Sequence, residues 1–237
     1  MRWAQITDKG LGREVNEDNM LVAPDLGLLA VADGMGGHRG GRTASKMALA
    51  TLKQELTRLL ALPTEPPKAL QDAVKITNSA IFARASEFAA LQGMGTTLTA
   101  CLYREQQLYL AQVGDSRAYL SRGAQIRQVT QDHSLVQELV QKKVIRAEEA
   151  LSHPQRHMLT RALGSEPFVE VDTFREQVQP GDRLLLCTDG LTRYLQSPEI
   201  LEVLQTSPEP EIMVQTLLGR ALQAGGADNI TIVLACF

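Results

Sequence analysis

Apolar residues recur along this chain at two spacings, and the switches between them outline its organisation. Apolar runs predict a short strand at Trp3–Thr7 and a hairpin of Met20–Ala23 and Leu28–Ala32 around Pro24-Asp25. From Arg42 the period lengthens. Ala44, Met47, Ala48, Leu52, Leu56, Leu59 and Leu60 share one helical face. The proline-rich Leu62–Pro67 reads as a linker, and a second helix is expected over Lys68–Leu91. After Gly93-Met94-Gly95 the strand pattern returns. Thr96–Leu102, Gln107–Val113 and Ala118–Ser121 read as consecutive antiparallel strands with tight turns, and Ile126–Thr130 as a fourth. Ser134–Gly164 interrupts them with short helix-like stretches and the charges Lys142, Lys143, Arg146, Glu148 and Glu149, as a surface insertion would. Val169–Val178 and Arg183–Cys187 resume the sheet, helices follow near Pro198–Leu204 and Glu209–Ala224, and Ile230–Ala235 is the last strand.

This order lacks regular βαβ alternation and predicts an α+β fold. Two antiparallel sheets packed face to face, with helices outside, would cover every apolar face. Composition narrows the class. With 44% hydrophobic and 22% charged residues, the chain reads as an ordinary soluble domain. A net charge of -3 without a run of five like charges argues against nucleic acid or an anionic membrane as partner. The first residues lack a signal-peptide core, and no apolar stretch approaches the length of a span, so a cytoplasmic protein without a membrane anchor is expected. Cys101, Cys187 and Cys236 stand alone in apolar runs and read as buried thiols.

One device repeats: an apolar strand beside an aspartate. It occurs at Asp33 (VADG), Asp115 (VGDS), Asp189 (LCTDG) and Asp228 (GGADN), the last preceding its strand; Glu17 and Asp18 add an acidic site in the N-terminal loop. An aspartate before glycine is usually a turn residue or helix cap. Strand-end carboxylates that share a rim would instead form an all-oxygen cluster. Mutual repulsion would raise their pKa values unless a hard divalent cation joined them, which favours Mg²⁺ or Mn²⁺ over zinc.

The ordered elements GLGREVNED (10–18), VADGMGGH (31–38), GTT (95–97), VGDSRAYL (113–120), QDHS (131–134), LTRALG (159–164), GDRLLLCTDGL (181–191) and ADNIT (227–231) resemble the PPM family, the type 2C metal-dependent serine/threonine phosphatases, in its compact bacterial form. The resemblance covers essentially the whole chain. It implies one catalytic domain over 1–237, a four-layer α-β-β-α sandwich with a flap over 134–164. It implies hydrolysis of phosphoserine and phosphothreonine in proteins by direct attack of a hydroxide shared between two metal ions.

Residue roles follow from the same resemblance. Asp33 would bridge the two ions, and the Gly34 carbonyl would join one of them. Asp189 and Asp228 would ligate the other. Glu17 and Asp18 would hold metal-bound water or ligate directly, and Asp115 with Asp189 would form a third, weaker site. Arg13 would grip the substrate phosphate with its planar fork. Animal members carry a histidine after the Asp-Gly pair as a proposed acid; here Met35 cannot donate a proton. His38 is then a candidate acid, or else a loop histidine ordering the glycine turn. His133 is expected to anchor the following helix start. By family habit, substrates would be phosphoproteins of a bacterial Ser/Thr kinase, and the chain would act as a monomer. Two other readings stay open: a catalytically silent, phosphoprotein-binding member of the same fold, and a different metallo-hydrolase such as a nuclease.

Overall fold

The structure, a computed structural model, describes residues 1–36, 40–151 and 153–237. β1 (Arg2–Asp8) opens the chain, and β2 (Asn19–Ala23) and β3 (Leu28–Ala32) form the expected hairpin. The two-residue β4 (Gly34–Met35) precedes α1 (Gly40–Leu60). α2 (Pro66–Glu87) begins inside the expected linker, because proline lacks the N–H that a first helical turn leaves unpaired anyway. It also ends sooner than expected, at an extended Phe88, and Ala89–Leu91 forms a separate 3₁₀ turn.

β5 (Gly95–Thr96), β6 (Leu98–Arg104), β7 (Gln107–Val113), β8 (Arg117–Arg122) and β9 (Gln125–Gln128) follow. The insertion holds α3 (Leu135–Gln141) and α4 (Ala147–Leu151). The remainder is β10 (Asp172–Gln177), β11 (Arg183–Cys187), the single turn α5 (Asp189–Thr192), α6 (Ser197–Thr206), α7 (Pro210–Gln223) and β12 (Ile230–Cys236).

Two five-stranded antiparallel sheets run β1-β12-β11-β8-β9 and β10-β7-β6-β3-β2, with β4-β5 as a small third ladder. One expectation needs correction. β7 and β8 are not a hairpin: β7 pairs with β6 and β10, whereas β8 pairs with β9 and β11. The chain crosses between sheets at Gly114–Ser116. A tight turn looks the same in sequence whether it reverses a strand or passes it to the facing sheet.

Strands that read as continuous apolar runs are apolar on both faces for a reason. In β3, Leu29 and Val31 face the opposite sheet, while Leu28, Ala30 and Ala32 pack under α1 and α2. In β11, Leu184 and Leu186 enter the inter-sheet core, while Leu185 and Cys187 pack with α6 and α7. β12 divides likewise, with Val233 and Ala235 inside and Ile230, Ile232 and Leu234 toward the helices. The result is four layers, α-β-β-α. Each fully buried aliphatic side chain contributes about 1.5–3 kcal/mol, so three contiguous cores hold the strand ends in a stiff frame. No described helix is long and apolar enough to cross a membrane.

Candidate active site

Asp33 leaves the end of β3 with its backbone clamped on both sides. Its N–H donates to Thr97 Oγ1 (2.9 Å), and its carbonyl accepts from Thr96 Oγ1 (2.8 Å) and from the Thr97 N–H (2.9 Å). Thr97 Oγ1 continues to Ser116 Oγ at 2.7 Å, which links the Asp33 turn to the crossing between the sheets. The GTT motif is therefore the holder of Asp33. Gly34 is required by close approach. A Cβ there would lie 2.1 Å from the Gly41 carbonyl oxygen and 2.7 Å from that of Glu17. A Cβ on Gly41 would meet the Gly34 carbonyl oxygen at 2.6 Å and Glu17 Oε1 at 2.7 Å, so these two oxygens flank a spot where no side chain fits.

Glu17 and Asp18 arrive on the N-terminal loop, and Asn229 ties that loop down. Its Oδ1 accepts from the Glu17 N–H (2.8 Å), and its Nδ2 donates to the carbonyls of Lys9 (2.9 Å) and Val15 (3.1 Å). Asp18 is buried over the ends of β11 and β12, where Thr188 Oγ1 donates to its Oδ2 at 2.8 Å. Its other oxygen, and Glu17 Oε1, are buried without a hydrogen-bond partner.

Asp115 sits on the sheet crossing beside Gly114, whose φ of 100° suits glycine. His133 grips Gly114 twice: its N–H donates to the Gly114 carbonyl (2.9 Å) and its Nδ1 accepts the Gly114 N–H (3.2 Å). Its Nε2 faces Asp172 Oδ2 at 3.2 Å. The N-cap of α3 is Ser134, which accepts from the Gln137 N–H. His133 thus anchors the Asp115 turn, not the helix start expected of it.

Asp189 opens α5, and Asp228 precedes β12. Asp228 carries two guanidinium groups. Arg13 spans its carboxylate, with Nε 2.8 Å from Oδ1 and Nη2 3.0 Å from Oδ2. Arg193 Nη2 lies 3.2 Å from Asp228 Oδ2 and 3.2 Å from Asp189 Oδ2. The same Nη2 is 3.0 Å from His157 Nδ1, on the inserted segment. Desolvation, then Arg193 and Arg156, lower the His157 pKa and so favour the neutral ring that accepts there.

The carboxylates feel one another strongly. Burial first, then Asp18, Asp189, Asp115 and Asp228, push the Asp33 pKa well above its ordinary value. Burial, with Asp189 and Asp228 adding to it, raises Asp18 to about 7. Asp115 is pushed up by burial, then by Asp189 and Asp132, and Asp189 rises through burial and Asp228 while Arg193 opposes it. The strand-end aspartates therefore do share one rim. Among the described residues no three carboxylates form a closed metal cage, as repulsion and two interposed guanidiniums would dictate. The donor set nevertheless fits a hard cation. It is all oxygen, it is overloaded with buried negative charge, and two of its buried oxygens lack partners.

His38 lies outside the described residues. Met35 pairs with Gly95 in the β4-β5 ladder. Sequence reasoning missed Arg193, although its i,i+4 spacing from Asp189 on a helical start could have flagged it. It also gave no role to Thr188 or Thr97. Beside the carboxylates opens a cleft of about 320 Å³, lined by Asp115, Asp189 and Arg193 on one side and by Val136, Arg156 and His157 of the insertion on the other.

Comparison with known proteins identifies the chain's relatives. The family model described as Protein phosphatase 2C matches residues 13–223. The chain is 42% identical over 233 residues to the serine/threonine phosphatase stp of Listeria innocua, covering 96% of this chain and 92% of that protein. It superposes on the crystal structure of the Mycobacterium tuberculosis serine/threonine phosphatase PstP/Ppp with a TM-score of 0.89 and 42% identity, over 100% of this chain and 98% of that one. A PstP catalytic domain in complex with two manganese ions aligns with a TM-score of 0.88 and 40% identity, over 99% and 97% of the two chains.

Proposed function

Because the chain belongs to the protein phosphatase 2C family, we propose that it is a metal-dependent protein phosphatase that hydrolyses phosphoserine and phosphothreonine in proteins. The observation that carries this reading is the rim where burial and neighbouring carboxylates push up the pKa values of Asp18, Asp33, Asp115 and Asp189, with Asp115 and Asp189 lining the adjacent cleft. A catalytically silent relative would have no use for so costly a cluster, and the relatives it matches are named as phosphatases.

Asp33, the Gly34 carbonyl, Asp189 and Asp228 would hold two ions, and Glu17 and Asp18 would hold their water or ligate directly. Two such cations supply positive charge at the phosphoryl oxygens and lower the pKa of water that they share. The protein's own part is positioning. Thr96 and Thr97 fix the Asp33 backbone, and Asn229 fixes the loop that bears Glu17 and Arg13. Arg13, with its side chain 53% exposed, already holds a carboxylate with two nitrogens. The same fork would take two phosphate oxygens once Asp228 turns to an ion. Met35 can hold no proton for the leaving oxygen. His38 remains the candidate donor, with water reaching the open cleft as the alternative.

Manganese has the stronger support, since a near relative binds two such ions. Mg²⁺ as a substitute and a weaker third ion at Asp115 and Asp189 belong to the same proposal. So do substrates made by a bacterial Ser/Thr kinase, a monomeric state, a cytoplasmic location, and a flap over 134–164 that selects among phosphoproteins. The test is release of phosphate from a phosphothreonine peptide with Mn²⁺ and with chelator. Metal-dependent release is expected. No release under either condition overturns the reading.

A further inference from the structure

Arg193 makes three contacts through a single nitrogen. Its Nη2 lies 3.2 Å from Asp189 Oδ2, 3.2 Å from Asp228 Oδ2 and 3.0 Å from His157 Nδ1. A cation set between one largely covered and one buried carboxylate occupies a position where a divalent ion would neutralise both. The third contact reaches outward to the insertion that lines the far side of the cleft. Arg193 thereby joins three parts of the chain: α5 brings Asp189, with Arg193 as its C-cap, the loop before β12 brings Asp228, and the segment after α4 brings His157.

Resting on the metal-dependent reading above, we infer that Arg193 is a positioning residue that stands in for a divalent cation between Asp189 and Asp228 and couples their loading to the inserted segment through His157. The coupling is electrostatic. Asp228 carries Arg13 as well as Arg193, so an ion binding there meets two competing positive charges at contact distance. Arg13 is half-exposed and on a loop, free to move to a phosphate. Arg193 is three-quarters covered, its side chain 24% exposed, and has one further partner within reach. When an ion takes both carboxylates, the guanidinium keeps only His157 and the open cleft. Loading would then change how the insertion is held, and the insertion's position would change how tightly the ion binds. Such reciprocity is required of any two linked sites.

The experiment measures binding without turnover. Free Mn²⁺ is followed by electron paramagnetic resonance as the metal-free full chain is titrated, for wild type, Arg193→Gln, Arg193→Lys and Arg220→Gln. Arg220 pairs with Glu202 on an exposed helical surface and controls for loss of one positive charge anywhere. Arg193→Gln is expected to tighten Mn²⁺ binding about 5–20-fold, as removal of one contacting like charge would. Arg193→Lys should fall between it and wild type, and Arg220→Gln should match wild type. In parallel, trypsin cleavage after Lys142, Lys143, Arg146 and Arg156 reports on the insertion. Mn²⁺ should change these rates in wild type and leave them unchanged in Arg193→Gln. Equal Mn²⁺ affinity in wild type and Arg193→Gln overturns the inference, and so does a cleavage pattern in Arg193→Gln that still responds to Mn²⁺ as wild type does. Wild type that binds no Mn²⁺ overturns the metal-dependent reading itself, a distinct result.

Discussion

Asp18→Asn should make the metal-free protein more stable and the metal-binding protein worse. Asp18 is buried, with one oxygen taken by Thr188 and the other without a partner. Burial, reinforced by Asp189 and Asp228, holds its pKa at about 7 against an ordinary 3.8. A native pKa above the unfolded one means that the folded state binds the extra proton between these values. Stability from this group therefore falls as pH rises from about 4 to about 7, and the full cost stands above that. At about 1.4 kcal/mol per pH unit the interval from 3.8 to about 7 sets a ceiling of about 4 kcal/mol. Asparagine keeps an acceptor for Thr188 but buries an amide N–H₂ that needs its own acceptor, which takes back about 1–3 kcal/mol. A net gain of about 2 kcal/mol at pH 8 is expected, shrinking toward zero or below near pH 4. The assay is urea unfolding followed by circular dichroism with chelator present, at both pH values. With Mn²⁺ added the order should reverse, because the variant would lose a charged oxygen proposed to hold an ion or its water. A variant no more stable than wild type at pH 8 without metal, or a gap that does not change with pH, would refute the reasoning.

Gly34→Ala places a Cβ 2.1 Å from the Gly41 carbonyl oxygen, a backbone atom that cannot swing away. It should cost about 3 kcal/mol or more in chemical denaturation, and a loss under 0.5 kcal/mol would remove the close-approach argument. Arg13→Ala should raise KM for a phosphopeptide or lower kcat at least tenfold in steady-state assays, while Mn²⁺ affinity stays level or improves because Asp228 loses a competing cation. Asn229→Ala frees the Glu17 N–H and the Lys9 and Val15 carbonyls, so hydrogen exchange over residues 9–17 should quicken and stability should fall by about 1–3 kcal/mol. Exchange unchanged in that loop would show that Asn229 does not hold it.

Much of the fold is legible because the strands betray their surroundings. β3 is apolar at every position, and so are residues 184–187 of β11 and 232–236 of β12, a pattern that suits a strand covered on both faces. Asp33 is visible for the same reason, as the first polar residue after a buried run, and Asp189 and Asp228 as acids two residues from the end of one. The switch from β7 to β8 was not legible, since the Gly114 turn carries no mark of which sheet receives the next strand. The start of α2 is hard to place from sequence because proline, which breaks a helix interior, is tolerated in a first turn. Arg193 and His133 were hidden for a different reason. Their work depends on neighbours 35 or more residues away for Asp228 and His157, and on a turn 19 residues back for Gly114. Periodicity cannot report such meetings.

The central claim is that Asp33 and the carboxylates around it hold the ions that this phosphatase needs. Its most direct test counts Mn²⁺ bound per chain by equilibrium dialysis with metal analysis, in wild type and in Asp33→Asn, alongside phosphothreonine-peptide hydrolysis. Wild type should bind at least two ions. Asp33→Asn should lose both tight sites together and drop in rate by at least a hundredfold, because one carboxylate is asked to join the two. An Asp33→Asn chain that keeps two ions and wild-type hydrolysis would contradict the claim.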